Sequence, residues 1–235
     1  MNPSLYRLRF AYPKSDRLAF LGHLEVIATI ERSIRRAGLP FAVSHGFARR
    51  MKVQFSSALP VGVSSRAEYF DLFLTEHLDA CNVLGHLASY SPTALCPFEA
   101  HYTDQALPAL EAWLNRSSWM LDLGTEATAT ALEQGISRLR EKGSFTYMRG
   151  TKPKTVDVGE SYVSHQLIES EGKLLLALET ATNASGSMRP EAFVRACFEL
   201  SDTPDALPEY LRCVRTAQHH WEDGNLVEAL QHSLP

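Results

Sequence analysis

The stretch "YRLRFAY" (residues 6–12) decides how the rest of the chain is interpreted. Apolar side chains at positions 6, 8 and 10 alternate with Arg7 and Arg9, and this two-residue period is typical of a half-buried β-strand. Residues 24–38 then change to helical spacing, with isoleucines at positions 27, 30 and 34. Gly38 followed by Pro40 predicts the end of that helix, so the chain opens with a strand and a helix.

The pattern up to residue 104 predicts four more elements after this opening pair. The β-branched and aromatic segments 41–43 and 51–59 favour short strands, and residues 67–76 alternate as a longer strand. Residues 78–90 have helical spacing, and residues 94–102 return as a strand. The resulting order, β-α-β-β-α-β, predicts a ferredoxin-like unit with two helices on one face of an antiparallel sheet.

The second half repeats this order after a candidate linker, "TDQALPAL" (residues 103–110). The predicted elements are a strand at 117–123, a helix at 125–143 with Thr125 as N-cap, a strand at 145–148, a hairpin turning near Glu171 and Gly172, a helix at 189–200 and a last hairpin around Asp223 and Gly224. We therefore predict an α+β protein of two tandem ferredoxin-like units. Their domains are residues 1–104, which are basic, and residues 108–235, which are acidic.

Composition limits the class of protein. The chain has 235 residues, of which 45% are hydrophobic and 21% charged, which is typical of a globular protein. It has no apolar run of the roughly 18 residues that a membrane helix needs and no signal-peptide pattern, so we expect a cytoplasmic protein without membrane contact. The four cysteines are scattered and are interpreted as small buried hydrophobes. No nucleotide-binding, iron–sulfur or metal-ligand motif is present, and we expect no cofactor and no metal.

Charge is distributed unevenly along the chain. Residues 1–70 contain 11 Lys or Arg against four Asp or Glu, a net charge of +7, whereas the remaining residues carry −11. A basic segment of this kind favours a polyanion or an acidic partner. Accidental segregation on a charge-mixed surface is the alternative.

The basic residues of the first half form the main candidate binding site. Guanidinium groups pair with phosphate in bidentate fashion, and a neighbouring glycine permits close approach of the backbone. Phe47 and Phe55 lie in the same segment and would allow base stacking if exposed. The candidate anion-binding or nucleic-acid-binding residues are Arg35, Arg36, Ser44, Gly46, Arg49, Arg50 and Lys52. A protein–protein surface and a solvated loop are the alternatives.

Two further sets of residues carry narrower hypotheses. His23 and His45 lie near basic residues and are candidate catalytic residues for acid–base chemistry on a phosphodiester. They form no motif, and ordinary cap or loop residues are the simpler interpretation. Lys152 and Lys154 form a secondary basic segment in the acidic half, where a surface loop is the simpler interpretation.

One long segment resembles a known family. Residues 18–72 contain His23 and Leu24, then "RRAGLP", then Ser44, Gly46 and Phe47, then "ALPVGV", Ser65 and "EYFD", in that order. This segment resembles the bacterial family of radical-SAM-linked proteins, and "KPKTVDV" (residues 152–158) resembles a weaker segment of that family. The resemblance implies a radical SAM protein as a partner, because members of the family are fused to such proteins or encoded beside them.

Together these observations favour a noncatalytic module that binds RNA or another anionic substrate for a radical SAM partner. A metal-independent RNA-processing enzyme that uses His23 and His45 is one alternative. A protein–protein scaffold that contacts the partner through the acidic half is the other.

Overall fold

The computed structural model describes residues 5–45, 47–125, 127–183, 186–208 and 210–230. The chain forms two compact units. Unit 1 comprises residues 1–114 and 218–235, and unit 2 comprises residues 115–217. Residues 218–235 thus belong to unit 1, whereas the sequence pattern predicted them in a second domain, 108–235, after the candidate linker 103–110.

The elements follow in chain order. The strands are β1 (Tyr6–Lys14), β2 (Val53–Phe55), β3 (Ser64–Leu74), β4 (Glu99–Tyr102), β5 (Arg116–Asp122), β6 (Ser144–Arg149), β7 (Lys152–Asp157), β8 (Tyr162–Ser170), β9 (Lys173–Asn183), β10 (Gly186–Ser187), β11 (Arg212–Glu222) and β12 (Asn225–Glu228). The α-helices are α1 (His23–Arg36), α2 (Ala80–Ser89), α3 (Leu110–Trp113), α4 (Ala129–Lys142), α5 (Val158–Ser161) and α6 (Pro190–Leu200). Short 3-10 helices cover Asp16–Phe20, Thr93–Leu95 and Pro204–Ala206.

The sheet of unit 1 carries its two main helices on one face. Its strands are ordered β4-β1-β3, with β2 also paired to β3, and the β1–β3, β1–β4 and β2–β3 pairs are all antiparallel. The core contains Leu8 and Phe10 of β1, Phe70 and Leu72 of β3, and residues of both α1 and α2. The predicted alternation of strands β1 and β3 thus directs these apolar side chains at the two helices.

Helix α1 forms where the apolar spacing predicted it. Val26, Ile30 and Ile34 are buried against the sheet, and the Gly22 N–H donates to Glu25 Oε2 (2.7 Å), which satisfies one of the unpaired amides of the first turn. Gly38 has a φ of 62°, the left-handed conformation that ends helices at little cost for glycine.

The other face of the unit 1 sheet is also buried, which corrects the expectation of a half-buried strand. Arg7 and Arg9, predicted to face solvent, are 2% and 0% exposed. Both guanidinium groups pair with the carboxylate of Asp71, which is 0% exposed. The segment after β4 and the segment at Ala229 cover this face, through a small cluster that includes Leu110, Trp113, Leu114 and Ala229. Alternation identified the two faces correctly, but it could not show that a later segment covers the second one.

Unit 2 has its own sheet and a separate hairpin. Strand β9 pairs with β5, β8 and β10, and β5 neighbours β11, of which residues 212–217 belong to this unit. Strands β6 and β7 form a two-stranded antiparallel sheet of their own. Helices α4 and α6 pack against each other so closely that a Cβ atom on Gly135 would lie 2.1 Å from the carbonyl oxygen of Cys197. Glycine is therefore required at this crossing.

Three local predictions are corrected by the structure. Thr128, not Thr125, is the N-cap of α4, and its Oγ1 accepts a hydrogen bond from the Ala131 N–H (3.3 Å). Residues 152–157 form strand β7 and not a loop, because they pair along their whole length with β6. Of the four cysteines predicted to be buried, Cys197 and Cys213 are buried, Cys96 is half-buried and Cys81 is exposed. Cys81 is exposed because α2 turns Val83 toward the core instead.

The class predicted from the sequence, α+β with mostly antiparallel strands, is confirmed. The predicted hairpins that turn at Glu171–Gly172 and at Asp223–Gly224 are present as β8–β9 and β11–β12. Among the described helices, none has the length and apolar character needed to cross a membrane.

Candidate functional site

The main candidate site is a hairpin that extends from one end of β3. Its described residues are 42–45 and 47–52, and we call it the basic hairpin. The Ala42 N–H donates to the Phe73 carbonyl (2.7 Å), and the Phe73 N–H donates to the Lys52 carbonyl (3.2 Å). The Lys52 N–H donates to the Ala42 carbonyl (2.7 Å), which closes the base of the hairpin. A β-bridge between Val43 and Met51 continues it outward. The base is thus fixed to the sheet while the residues beyond it project from it.

Ser44 holds the tip of the basic hairpin closed. Its N–H donates to the Arg50 carbonyl (2.8 Å), and its Oγ accepts a hydrogen bond from the Arg50 N–H (3.1 Å). These bonds give Ser44 a structural role in the candidate site. Gly46, another predicted member of the site, lies outside the described residues.

Arg49 and Arg50 are exposed at the tip. Within the described ranges neither guanidinium group has an ion-pair partner. An unpaired guanidinium on the surface keeps all of its donors available for an incoming phosphate or carboxylate. These two residues are therefore the cationic groups of the hairpin whose donors are most accessible.

Phe47 lies at the tip beside the arginines and has 110% of the reference accessible area, the largest exposure among the described large hydrophobic residues. Its ring is therefore not part of the hydrophobic core formed by the described residues. Phe55, the other aromatic residue considered from the sequence, instead packs against Phe70 with ring centroids 5.7 Å apart. Phe47 is thus the aromatic ring of the hairpin that is available for stacking on a nucleic-acid base.

Lys52 contributes differently from the arginines. Its Nζ lies 4.3 Å from the centroid of the Phe73 ring, a cation–π contact, and the residue is half-buried. Lys52 therefore fixes the hairpin to β3 while it adds positive charge near the base.

Arg35 and Arg36 lie in the last turn of α1 and are exposed. The chain runs from this turn to Phe41, which forms a β-bridge with Leu74 at the end of β3. The two arginines therefore lie at the end of unit 1 from which the basic hairpin projects. Arg35 also pairs with Glu31 (3.3 Å), an exposed contact of little energetic value. The positive charges of both arginines also interact favourably with the negative end of the helix dipole at the C-terminus of α1.

The structure does not bring His23 and His45 together. His23 is the first residue of α1, and its ring centroid lies 6.1 Å from that of Phe55. His45 lies at the tip of the basic hairpin, beyond the opposite end of α1. Since 14 residues of helix separate the two ends, which is about 20 Å, the imidazoles do not share one cleft.

One group of exposed residues near His23 was missed by the sequence reasoning. Phe20, Leu24 and Val61 are large, apolar and exposed. The Gly62 N–H donates to the Ala19 carbonyl (2.9 Å), which holds the "LPVGV" turn beside the 3-10 helix that contains Phe20. Apolar residues at helical or strand spacing are interpreted as core by default, so the sequence carried no signal that these three are exposed.

The secondary basic residues lie in unit 2 on strand β7. Lys152 is exposed, and Lys154 is half-buried, with its Nζ donating to the Ser187 carbonyl (2.8 Å). Arg149 and Arg189, which the sequence reasoning did not select, act electrostatically on Lys154. In the part of the chain that the structure describes, no group of three or more His, Cys, Asp or Glu side chains is arranged to hold a metal ion.

Comparison with known proteins adds a family but no activity. A solved structure described as "Crystal Structure of an Unknown Protein from Galdieria sulphuraria" is similar at 9% identity, over 75% of this chain and 81% of that chain, with a TM-score of 0.26. At this level the likeness supports no inference about fold or function. A search of curated proteins finds no match.

A family model matches residues 7–190, which include the basic hairpin and both strands of the β6–β7 hairpin. Its description is "Uncharacterized protein conserved in bacteria (DUF2344)". Because the match covers most of the sequence, this chain belongs to that uncharacterized bacterial family.

Proposed function

We propose that this chain is a noncatalytic accessory module that binds RNA, or another anionic substrate, through the basic hairpin and presents it to a radical SAM partner. The observation that carries the proposal is the exposure of Phe47 beside the guanidinium groups of Arg49 and Arg50, which have no ion-pair partner among the described residues. Proteins that bind single-stranded nucleic acid combine positive charge for the phosphates with aromatic rings for the bases. The module would act in the cytoplasm.

The fixed base of the hairpin supports this function. Hydrogen bonds to Phe73 and the cation–π contact of Lys52 hold the hairpin on β3. A cationic group held by a rigid element loses less conformational entropy on binding than one on a free loop. The tip of the basic hairpin would therefore contact the RNA or other anionic substrate, and the base would hold the tip in a fixed orientation.

An enzymatic function is supported less well by the geometry. General acid–base catalysis requires both groups within reach of one substrate. His23 and His45 lie near opposite ends of α1. We therefore favour binding over phosphodiester cleavage by these two histidines.

We also infer that each unit is ferredoxin-like. In unit 1 the element order β1-α1-β2-β3-α2-β4 and the neighbours β4-β1-β3-β2 support this topology. In unit 2 the same order is found in β5-α4-β8-β9-α6-β11, with neighbours β8-β9-β5-β11, if the β6–β7 hairpin is an insertion after α4. The insertion would then be an addition to the second repeat.

RNA binding is tested by charge reversal at the tip. Each arginine that pairs with a phosphate contributes on the order of 1.5–3 kcal/mol, so we expect Arg49→Glu with Arg50→Glu to weaken binding of a single-stranded RNA by about 100-fold or more. Fluorescence anisotropy with a labelled oligonucleotide measures this. Phe47→Ala should weaken RNA binding but leave binding of polyphosphate, which has no bases, unchanged.

The matched control reverses Arg17 and Arg66, which are also exposed in unit 1 but lie outside the basic hairpin. We expect this pair of changes to have a much smaller effect on RNA affinity. Equal losses in both double variants would mean that only net charge matters, and the proposed hairpin site would be wrong.

The partner is tested by copurification. The resemblance of residues 18–72 to radical-SAM-linked proteins supports a direct complex, so we expect the radical SAM protein of the native cell to copurify with this chain. Nuclease treatment separates a protein contact from a bridge through RNA. Absence of the radical SAM protein from untreated and nuclease-treated samples would contradict the partner assignment.

A further inference from the structure

One face of the β6–β7 hairpin in unit 2 becomes basic toward its turn. In the antiparallel register the residues on this face are the opposed pairs Phe145 and Val156, Tyr147 and Lys154, and Arg149 and Lys152. Opposed residues share a face, as do residues two positions apart along one strand. Phe145 and Val156 are buried, whereas Arg149 and Lys152 are exposed. The face therefore has an apolar end anchored in unit 2 and a cationic end.

A fourth cation reaches this face from outside the hairpin. Arg189 directly precedes α6, and its Cζ lies 5.7 Å from the centroid of the Tyr147 ring. Lys154 lies opposite Tyr147 and donates from Nζ to the Ser187 carbonyl (2.8 Å). A Cβ atom on Gly186 would lie 3.0 Å from that Nζ, so glycine at this position leaves room for the ammonium group. Lys154 thus contacts β10, and Arg189, two residues after β10, lies beside Tyr147 on the same face of the hairpin.

The charges in this cluster repel one another. Burial lowers the pKa of Lys154, and the positive charges of Arg149 and Arg189 lower that pKa further. Among the described residues, none of Arg149, Lys152, Lys154 and Arg189 forms an ion pair with a carboxylate. Arg189 also interacts electrostatically with Glu191, whose pKa is raised by burial despite the opposing positive charges of Arg195 and Arg189.

We propose that Arg149, Lys154 and Arg189 form a phosphate-binding site on unit 2, with Lys152 at its rim. Two guanidinium forks and one ammonium group match the oxygens of a phosphate, and bound phosphate would relieve the repulsion among the three cations. The site is independent of RNA docking at the basic hairpin. Its phosphate belongs either to a small phosphorylated compound or to an RNA backbone, and the two sources are distinguished below.

The test is calorimetric titration of the full chain with inorganic pyrophosphate at low salt. Loss of one charged hydrogen-bonding partner should reduce the affinity by about tenfold or more in each of Lys154→Met and Arg149→Gln. Lys154→Arg keeps the charge and should retain most of the affinity. The matched control is Lys173→Gln, which removes an exposed cation of the same unit that pairs instead with Asp122 (3.4 Å). The control should bind pyrophosphate like the unaltered protein.

A parallel titration uses single-stranded RNA with the same variants in an Arg49→Glu, Arg50→Glu background. If Lys154→Met lowers the affinity for pyrophosphate, the site binds small phosphorylated compounds. If it lowers only the affinity for RNA, the site binds a phosphate of the RNA backbone. In either case the pKa of Lys154, measured by NMR, should rise when whichever of the two binds is added. If Lys154→Met and Lys173→Gln are indistinguishable in both titrations, the proposed site is wrong, whatever the outcome for the basic hairpin.

Discussion

Replacing Asp71 by Asn is expected to destabilise the protein by about 3–5 kcal/mol, because it leaves two buried guanidinium groups without their counter-charge. Asp71 Oδ1 accepts from Arg9 Nε (2.7 Å), and Oδ2 accepts from Arg7 Nε (2.7 Å) and Arg9 Nη2 (3.1 Å). All three side chains are almost completely buried. Asn has the same shape as Asp, so the decrease in stability would result from the lost charge and not from altered packing.

The two arginines connect separate parts of unit 1, which increases the expected effect. Arg7 Nη1 donates to the Leu107 carbonyl (2.6 Å) and Nη2 to the Pro108 carbonyl (2.8 Å). Arg9 Nη1 donates to the Ala229 carbonyl (2.7 Å), and its Cζ lies 4.8 Å from the Trp113 ring centroid. Once Asp71 no longer orients the guanidinium groups, these contacts weaken together.

Urea unfolding followed by circular dichroism measures the change in the free energy of unfolding. The matched control is Asp16→Asn, the same change at an exposed residue of unit 1 whose φ of 50° Asn tolerates. We expect the control to alter stability by less than about 1 kcal/mol. Similar losses in Asp71→Asn and Asp16→Asn would contradict the assigned role of the buried carboxylate.

Gly135→Ala is expected to destabilise unit 2 by about 3 kcal/mol, although alanine favours helices over glycine by about 1 kcal/mol. The added Cβ would lie 2.1 Å from the Cys197 carbonyl oxygen and 2.9 Å from its Cα. These are main-chain atoms of a packed helix, so the overlap cannot be relieved by a rotamer change. Helices α4 and α6 would have to separate.

Gly85→Ala is the control for Gly135→Ala, because Gly85 lies inside α2 with no atom near its Cβ position. There the helix preference should act alone and stabilise the protein by about 0.5–1 kcal/mol. The two Gly→Ala changes should therefore have opposite signs in thermal unfolding. Cys197, which is buried and whose thiol pKa is raised by burial, should also react faster with a thiol reagent in Gly135→Ala. Stabilisation by Gly135→Ala would contradict the described helix crossing.

Much of the fold was predictable because its signals are local. Apolar spacing gave α1 close to its observed bounds, and the glycine-containing turns at 171–172 and 223–224 gave two hairpins. A local pattern does not predict which distant segment covers a given face of the sheet. The burial of Arg7 and Arg9 depends on residues such as Leu107 and Ala229, about 100 and 220 positions away.

In the candidate sites, too, the sequence predicted what depends on neighbouring residues and missed what depends on contacts distant in the chain. The sequence indicated the cations of the basic hairpin because they are neighbours in the chain, but the exposure of Phe47 and the burial of Phe55 depend on which ring meets Phe70. In unit 2 the sequence selected Lys152 and Lys154. It did not select Arg189, which lies 35 residues beyond Lys154 and joins it through β10.

The most direct test of RNA docking at the basic hairpin is the salt dependence of RNA affinity. A plot of log Kobs against log salt concentration has a slope proportional to the number of phosphates neutralised, about 0.7 per phosphate for a single strand. If Arg49 and Arg50 each contact one phosphate, the slope for Arg49→Ala with Arg50→Ala should be shallower than that of the unaltered protein by about 1.4. Equal slopes for the two proteins, or an affinity of the unaltered protein that does not change with salt, would contradict docking of RNA phosphates at this hairpin.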